Sequence, residues 1–370
     1  MQLVSVRVRN FKAIADSGYF SLGPLTVFVG HNGSGKSSLI EALETYQSIV
    51  VNGLDVAMQR WLGVEHVRHF AANERPHSDK DRHAISFHFS IGRPMLTFTS
   101  IDMEIQTDAD ANRIGITKET ARHTNGWTFD RGKLRDPGRS ILTFPRTPGL
   151  SNVADHVRAW QFLSLQPEHM GLPVPQKRTS GQVRLAKDGS NIADYLLDIQ
   201  RLDAAALEGI VQAMGYVLPF ATDLKPLLTS ELERKSYLQM IEGGFKVPGW
   251  MLSTGTLRVL ALLALLRHPQ PPPLILVEEI ENGLDPRSIH LLVEEIRTAV
   301  LQGITKVVLT THSPYLLDLL KLDQLILVAR DEKGEARFHR PANDATLCEW
   351  AKEFAPGRLY TMGSLHEAAQ

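Results

Sequence analysis

Residues 3–8 alternate between apolar and polar positions, the pattern of a strand with one face in a core. Residues 25–30 (Leu-Thr-Val-Phe-Val-Gly) form an almost continuous apolar run closed by glycine, which predicts a strand buried on both faces. Helical spacing takes over at 37–49, with Leu39, Ile40, Leu43 and Tyr46 on one side. Residues 73–81 are polar and predict a loop, while 85–89, 96–106 and 113–118 read as strands at hairpin spacing. Glycine, proline and arginine recur without a period over 131–150, which predicts an irregular segment, and 159–165 reads as a further strand. From residue 192 the pattern turns helical, at 192–202, 205–214 and 257–266. Short apolar strands follow at 274–277, 306–310 and 325–328, with a helix over 288–301 between the first two. That alternation signals parallel strands with crossover helices. The chain thus reads as α/β at both ends, with hairpins and a helical lobe between.

Composition narrows the class. Of 370 residues, 43% are hydrophobic and 22% charged, which excludes a disordered chain. Lys and Arg total 40 against 41 Asp and Glu, so a nucleic-acid or membrane partner cannot be argued from bulk charge; any basic surface is local. A single cysteine, Cys348, excludes an internal disulfide and a cysteine-built metal site. The longest wholly apolar run, 259–266, is too short to span a bilayer, and the first ten residues carry no signal-peptide core. The expectation is a soluble, cytoplasmic protein without a membrane partner. His66, His69, His77, His83 and His88 lack a fixed short spacing and are not read as a zinc site. Arg131, Lys133, Arg135, Arg139 and Arg146 are read as a solvated loop, with nucleic-acid contact as the alternative.

The chemistry is concentrated in a few motifs. Gly30-His-Asn-Gly-Ser-Gly-Lys36-Ser37 fits G-x-x-x-x-G-K-[ST], directly after a buried strand and before a helix. In such a loop, glycines let backbone amides turn inward around phosphates and the helix N-terminus adds its dipole. Gly30, Asn32, Gly33, Ser34, Gly35, Lys36, Ser37 and Ser38 are therefore the expected phosphate-binding residues of an ATP site. Lys36 should reach the β- and γ-phosphates and Ser37 should ligate Mg²⁺. The strand at 274–277 ends in Glu278 and Glu279, where a P-loop enzyme carries its metal-linked acid and its base. Thr310-Thr311-His312-Ser313-Pro314 follows the next apolar strand and puts a histidine at the phosphate end of a sheet. Leu252-Ser253-Thr254-Gly255-Thr256 opens the most apolar helix, either as an ordinary N-cap or as an anion site.

In this order the elements resemble those of ABC-type ATPase heads, the class that includes SMC and RecF-like proteins. They are the Walker A loop at 30–37, the signature at 252–256, the Walker B strand ending at Glu278-Glu279, the D-loop Asn282-Gly-Leu-Asp285-Pro286 and the His312 switch. The chain is most similar to short-armed predicted AAA-family ATPases of the RecF/OLD-like group, in Val8-Arg-Asn-Phe-Lys12, in Gly189-Ser-Asn191-Ile-Ala193 and in residues 278–286. No toprim-like acidic cluster or nuclease motif follows residue 340, and residues 50–150 hold no heptad pattern of an SMC rod. Thr254 and Thr256 stand where transporters and SMC heads have glycine and glutamine, and Glu278 stands where most relatives have Asp.

The resemblance implies a P-loop fold of ABC-head architecture, with a mixed sheet and a helical lobe. It implies an N-terminal ATPase lobe at 1–150, a lobe carrying the signature at 151–268, and a C-terminal lobe with Walker B, D-loop and switch at 269–370. ATP would close a homodimer, or a higher even assembly, with the nucleotide on one Walker A loop covered by Ser253 and Gly255 of the other subunit. Glu279 would polarise the attacking water, His312 would sense the γ-phosphate, and Asp285 would cross the interface. Gln166, with Gln161 as the weaker choice, matches the Q-loop glutamine near the metal, and Lys12 resembles a basic residue close to the nucleotide. The implied output is DNA repair or defence against foreign DNA, with DNA and a separately encoded nuclease or effector as partners. The rival readings are an ATP-gated protein-interaction module without nucleic acid and, less favoured, a transporter ATPase subunit. DNA-stimulated ATPase activity separates the first two.

Overall fold

The computed structural model describes residues 1–70, 84–93, 96–108, 113–133, 136–143, 149–177, 181–230 and 232–367. The polar stretch expected as a loop at 73–81, with His77 and His83, lies outside them, as do Arg135 and Arg146. The chain divides into two compact units, Met1–Trp160 with Val308–Gln370, and Gln161–Val307.

The first unit holds an antiparallel sheet ordered Ile14–Asp16, Gln2–Phe11, Ile85–Arg93, Thr97–Thr107, Ile114–His123 and Thr128–Asp130, with Phe20–Ser21 also paired to Gln2–Phe11. Its register sets Val8 opposite Phe87 opposite Met103, and Val6 opposite Phe89 opposite Ile101. All six are buried, because a period of two puts every second side chain on one face. The helix Lys36–Asn52 supplies the other side of that core. Tyr46 on this helix is fully buried, with its ring 4.5 Å from Phe89 and 5.7 Å from Phe87. Each such buried aromatic or leucine stabilises by about 1.5–3 kcal/mol relative to exposure. The unit also contains the strands Ala336–His339, Leu325–Arg330 and Leu25–Val29 in that order, followed by residues 308–311. Leu325–Arg330 runs parallel to Leu25–Val29 and antiparallel to Ala336–His339.

The basic segment after residue 130 is irregular as expected, with short 3₁₀ turns at Arg131–Lys133 and Ile141–Thr143. Arg131 is not solvated. It is buried, pairs with Glu119 at 3.4 Å and donates to the carbonyls of Asp136 and Arg139. Glu119, fully buried, also accepts from Ile141 N–H and the Ser140 hydroxyl, and burial pushes its carboxyl up to about 7.

In the second unit, Gln161–Leu163 pairs in parallel with Leu274–Val277. Around them lie the helices Ile192–Leu202, Ala204–Val217, Thr254–Leu266 and Pro286–Leu301. Arg267 and Glu295 form a two-bonded ion pair at 2.7 Å between the last two of these. The helical reading was incomplete here. Ala221–Leu228, Lys235–Glu242 and Phe245–Pro248 are antiparallel strands, with Val174–Pro175 joining Lys235–Glu242. Among the described residues, no helix is long and apolar enough to cross a membrane.

Candidate functional site

In the first unit the site begins with strand register. Leu25–Val29 is wholly buried, and Val29 lies opposite Leu327. The next position, Gly30, is pressed so closely onto the neighbouring strand that a Cβ would lie 2.1 Å from the Val328 carbonyl oxygen; only glycine fits. The loop then turns through Gly33 and Gly35, both in left-handed backbone (φ 77 and 116). Gly35 caps the helix Lys36–Asn52 without a side-chain hydrogen bond, and no acid stands in its first turn. Neither a capping side chain nor a first-turn acid therefore offsets the positive end of its dipole.

Lys36 is buried, and its Nζ donates to the carbonyls of Gly30 at 2.6 Å and His31 at 2.9 Å. The ammonium therefore lies inside the loop, bonded to acceptors of the same kind a phosphate offers. Ser37 and Asn32 are exposed, whereas Ser34 and Ser38 are buried. The Ser34 Oγ is shielded from solvent and has no hydrogen-bond partner among the described residues. This donor set, of a helix N-terminus without a side-chain cap, an inward ammonium and adjacent hydroxyls, fits a nucleotide's phosphates. His312 is exposed immediately after the strand Lys306–Thr311. Its neighbours hold the turn: Ser313 N–H donates to Thr311 Oγ1, and the Ser313 hydroxyl caps Pro314–Asp318. Lys12 is half-buried, pairs with Glu41 at 2.5 Å and lies 4.6 Å from the Trp61 ring, so its own geometry is accounted for by packing.

In the second unit the buried strand Leu274–Val277 delivers Glu278 and Glu279, both half-buried. Glu279 has φ 47, a backbone state that costs a non-glycine residue about 1 kcal/mol or more. It lies two residues beyond the end of that strand, in the turn that follows. Asn282 secures the turn twice, with its N–H on the Glu279 carbonyl at 3.0 Å and its Nδ2 on Glu279 Oε2 at 2.6 Å. Three residues on, Asp285 caps Pro286–Leu301, accepting from Arg287 N–H, Ser288 N–H and the Ser288 hydroxyl. The Ser288 hydroxyl, then the backbone amides, hold the Asp285 carboxyl below its usual value.

The signature helix Thr254–Leu266 starts on Ser253, whose Oγ accepts from Thr256 N–H at 3.1 Å. Gly255 faces the D-loop: a Cβ there would lie 2.9 Å from the Gly283 carbonyl oxygen. The two glutamines differ sharply. Gln161 is buried with its amide tied to the carbonyls of Leu185 and Phe162, while Gln166 is exposed at the start of Pro167–Met170. Gln166 N–H bonds the Asp188 carbonyl, and Asn191 bonds Ala186 N–H and the Arg184 carbonyl. The Gly189-Ser-Asn191 motif therefore builds the turn beside Gln166.

Two family models match the sequence. One, described as "AAA domain, putative AbiEii toxin, Type IV TA system", matches residues 25–318, from the strand before the glycine loop to beyond His312. The chain belongs to that family. A second, "AAA ATPase domain", matches residues 1–48. Among solved structures, an SMC head bound to the C-terminal winged-helix domain of ScpA aligns with a TM-score of 0.59 at 13% identity, over 91% of this chain and 97% of that one. An SMC head with an extended coiled coil, bound to the C-terminal domain of ScpA derived from Pyrococcus furiosus, aligns at 0.53 and 13% identity, over 95% and 99%. None of the curated proteins matches the sequence. The α/β P-loop fold of an SMC-type head is thus shown, and the protein is an AAA-family ATPase that uses ATP.

For this ATPase the sequence reading missed Asn282 as the partner of Glu279. The spacing of three within a turn-forming Glu-Ile-Glu-Asn-Gly run was the available signal.

Proposed function

We propose that this ATPase is an ABC-type switch in which ATP closes two copies of the chain and hydrolysis reopens them, with DNA as the object of the cycle. The observation that carries the hydrolytic part is Glu279, held in left-handed backbone and bonded by Asn282. A carboxylate so fixed suits a general base, which must meet a water in one orientation. Glu279 takes a proton from the attacking water as its oxygen bonds to the γ-phosphorus, and the β–γ bridging oxygen leaves with ADP. Lys36 and the amides opening Lys36–Asn52 stabilise charge on the β- and γ-phosphates. Ser37, Glu278 and Gln166 would hold Mg²⁺, which when bound neutralises charge on the phosphate oxygens. His312 senses the γ-phosphate, with Lys12 as a lesser contributor. Ser253 and Gly255 meet the nucleotide of the second copy, and Asp285 lies at the contact between copies.

The DNA reading, in repair or anti-phage defence within the cytoplasm, is supported by resemblance to RecF-like and SMC heads and by their shared fold. The solved SMC heads carry pieces of ScpA. A separately encoded accessory protein, nuclease or otherwise, is proposed here on the same footing.

The test is a pair of acid variants. Glu279→Gln should lose about 10²–10⁴ in hydrolysis, keep ATP binding, and form an ATP-dependent dimer or larger even assembly in light scattering. Adding Ser253→Arg should abolish that assembly, and Glu278→Gln should weaken Mg²⁺-dependent binding instead. If Glu278→Gln traps the dimer and Glu279→Gln turns over normally, the two roles are reversed. If neither variant changes assembly with ATP, the two-copy switch is wrong. Anisotropy with duplex DNA at about 50 mM salt, with and without a non-hydrolysable analogue, tests the output. Binding that is absent in both states favours the protein-interaction module.

A further inference from the structure

Arg330 belongs to no nucleotide-binding motif. It ends the strand Leu325–Arg330 and is exposed, yet two of its guanidinium nitrogens are bonded. Nε donates to the Gly33 carbonyl at 2.8 Å, 297 positions away in sequence, and Nη1 donates to the Gly334 carbonyl at 2.5 Å. Gly334 lies in the tight turn joining Leu325–Arg330 to Ala336–His339. That turn is organised without Arg330: Asp331 Oδ1 accepts from Lys333 and Glu335 N–H, and Gly334 N–H donates to the Asp331 carbonyl at 2.8 Å. The arginine thus ties the crest of the phosphate loop to a pre-formed turn.

The bond matters because of what it does to one peptide plane. In a trans peptide the C=O and the following N–H point in opposite directions. Holding the Gly33 carbonyl outward therefore fixes the Ser34 N–H toward the loop interior, where it donates to the His31 carbonyl at 3.2 Å. Glycine-rich backbone has little shape preference of its own. Two cations restrain this loop: Lys36 from inside, on the Gly30 and His31 carbonyls, and Arg330 from outside. A polyphosphate competes with carbonyls for Lys36. Arg330 instead links the Gly33 carbonyl to the Gly334 carbonyl, in a turn outside the loop.

We propose that Arg330 is a positioning residue for the phosphate loop. It holds the Gly33 carbonyl away from the nucleotide and keeps the amide cradle shaped when Lys36 transfers to the β- and γ-phosphates. The inference rests on residues 30–37 being the ATP site.

Direct binding of fluorescent ATP, ADP and AMP to the full chain, together with steady-state hydrolysis, tests it in Arg330→Ala, Arg330→Lys and Arg337→Ala. Loss of one charge-assisted bond should weaken ATP and ADP about tenfold in Arg330→Ala, with AMP little affected and KM raised more than kcat falls. Arg330→Lys should recover part of this, since an ammonium lacks the planar fork that reaches both carbonyls. Arg337, whose partners Asp331 and Glu335 lie within the turn and its flank, should be replaceable without effect on binding. Unchanged ATP affinity in Arg330→Ala overturns the inference alone, as does an equal loss for all three nucleotides with a lowered melting temperature. Wild-type protein that binds none of the nucleotides overturns the reading of the loop and the inference together.

Discussion

Two helices of this protein begin in ways that look alike in sequence and differ in structure. Lys36–Asn52 follows Gly-Ser-Gly, and Thr254–Leu266 follows Leu-Ser; both starts are small and hydroxyl-rich. The first has a left-handed glycine cap and no side-chain cap bond. The second is closed by its own serine, with the Ser253 hydroxyl on Thr256 N–H and Oγ1. One start presents an uncapped helix end and a lysine drawn inward, which is the chemistry of an anion site. The other has used its hydroxyl to complete the helix, and what it presents outward is an exposed, already ordered surface. A serine before an apolar run therefore does not by itself make a site for the chain's own phosphates; the uncapped start carries the donors that such a site needs.

The sharpest way to break this comparison is at Lys36. Lys36→Ala removes the inward cation and leaves the glycines, so hydrolysis should drop about 10³-fold with the melting temperature near wild type. Near-normal turnover by a cleanly purified variant would leave the loop without its assigned role. Gly255→Ala comes next. Its new Cβ falls within 2.9 Å of a backbone oxygen that cannot swing aside, and urea unfolding should show a loss of about 1–3 kcal/mol. Ser253→Ala should cost about 1 kcal/mol as a lost cap, and isothermal titration should find ATP affinity of the isolated chain unchanged. A fall in that affinity would mean that the signature serine serves the chain's own nucleotide rather than a second copy's.

The smallest effect concerns acid. Because Ser288 and two amides hold the Asp285 carboxyl below its ordinary value, its stabilisation is complete above the usual carboxylate range. It is lost as pH falls through the lowered native value. Asp285→Ala should thus be about 1 kcal/mol less stable than wild type at neutral pH, with the gap closing in strong acid. A constant gap would show that Asp285 stabilises by packing.

The phosphate loop and the acid strand were legible because both are local. A buried apolar run, obligatory glycines and terminal acids lie within a few residues of each other, and the structure places Gly30, Lys36, Glu278 and Glu279 on those elements. The three strands between Ala221 and Pro248 were not legible. Lys235–Glu242 buries only Ser236, Leu238 and Met240, too thin an alternation to stand out from helical neighbours. The pair Gly243-Gly244, with φ 54 and 86 in a two-residue hairpin turn, was the readable sign. Arg131 shows the other limit. A basic, glycine-containing stretch looks solvated until Glu119, 12 residues earlier on a strand, is brought beneath it. Partnerships fixed by tertiary packing leave no trace in local spacing, and Arg330 on Gly33 is the extreme case.

The contact of Gly255 with the Gly283 carbonyl has a kinematic consequence. Two loops that merely share a neighbourhood can shift separately, each with its own freedom. Here the Gly283 carbonyl stands where a side chain on residue 255 would lie, 2.9 Å from its Cβ position. The start of Thr254–Leu266 and the turn at Gly283 thus lack the room to slide past one another once residue 255 carries a side chain, and Gly283 is four residues from Glu279. A larger residue at position 255 would therefore be felt first at the turn whose Asn282 holds the Glu279 carboxylate.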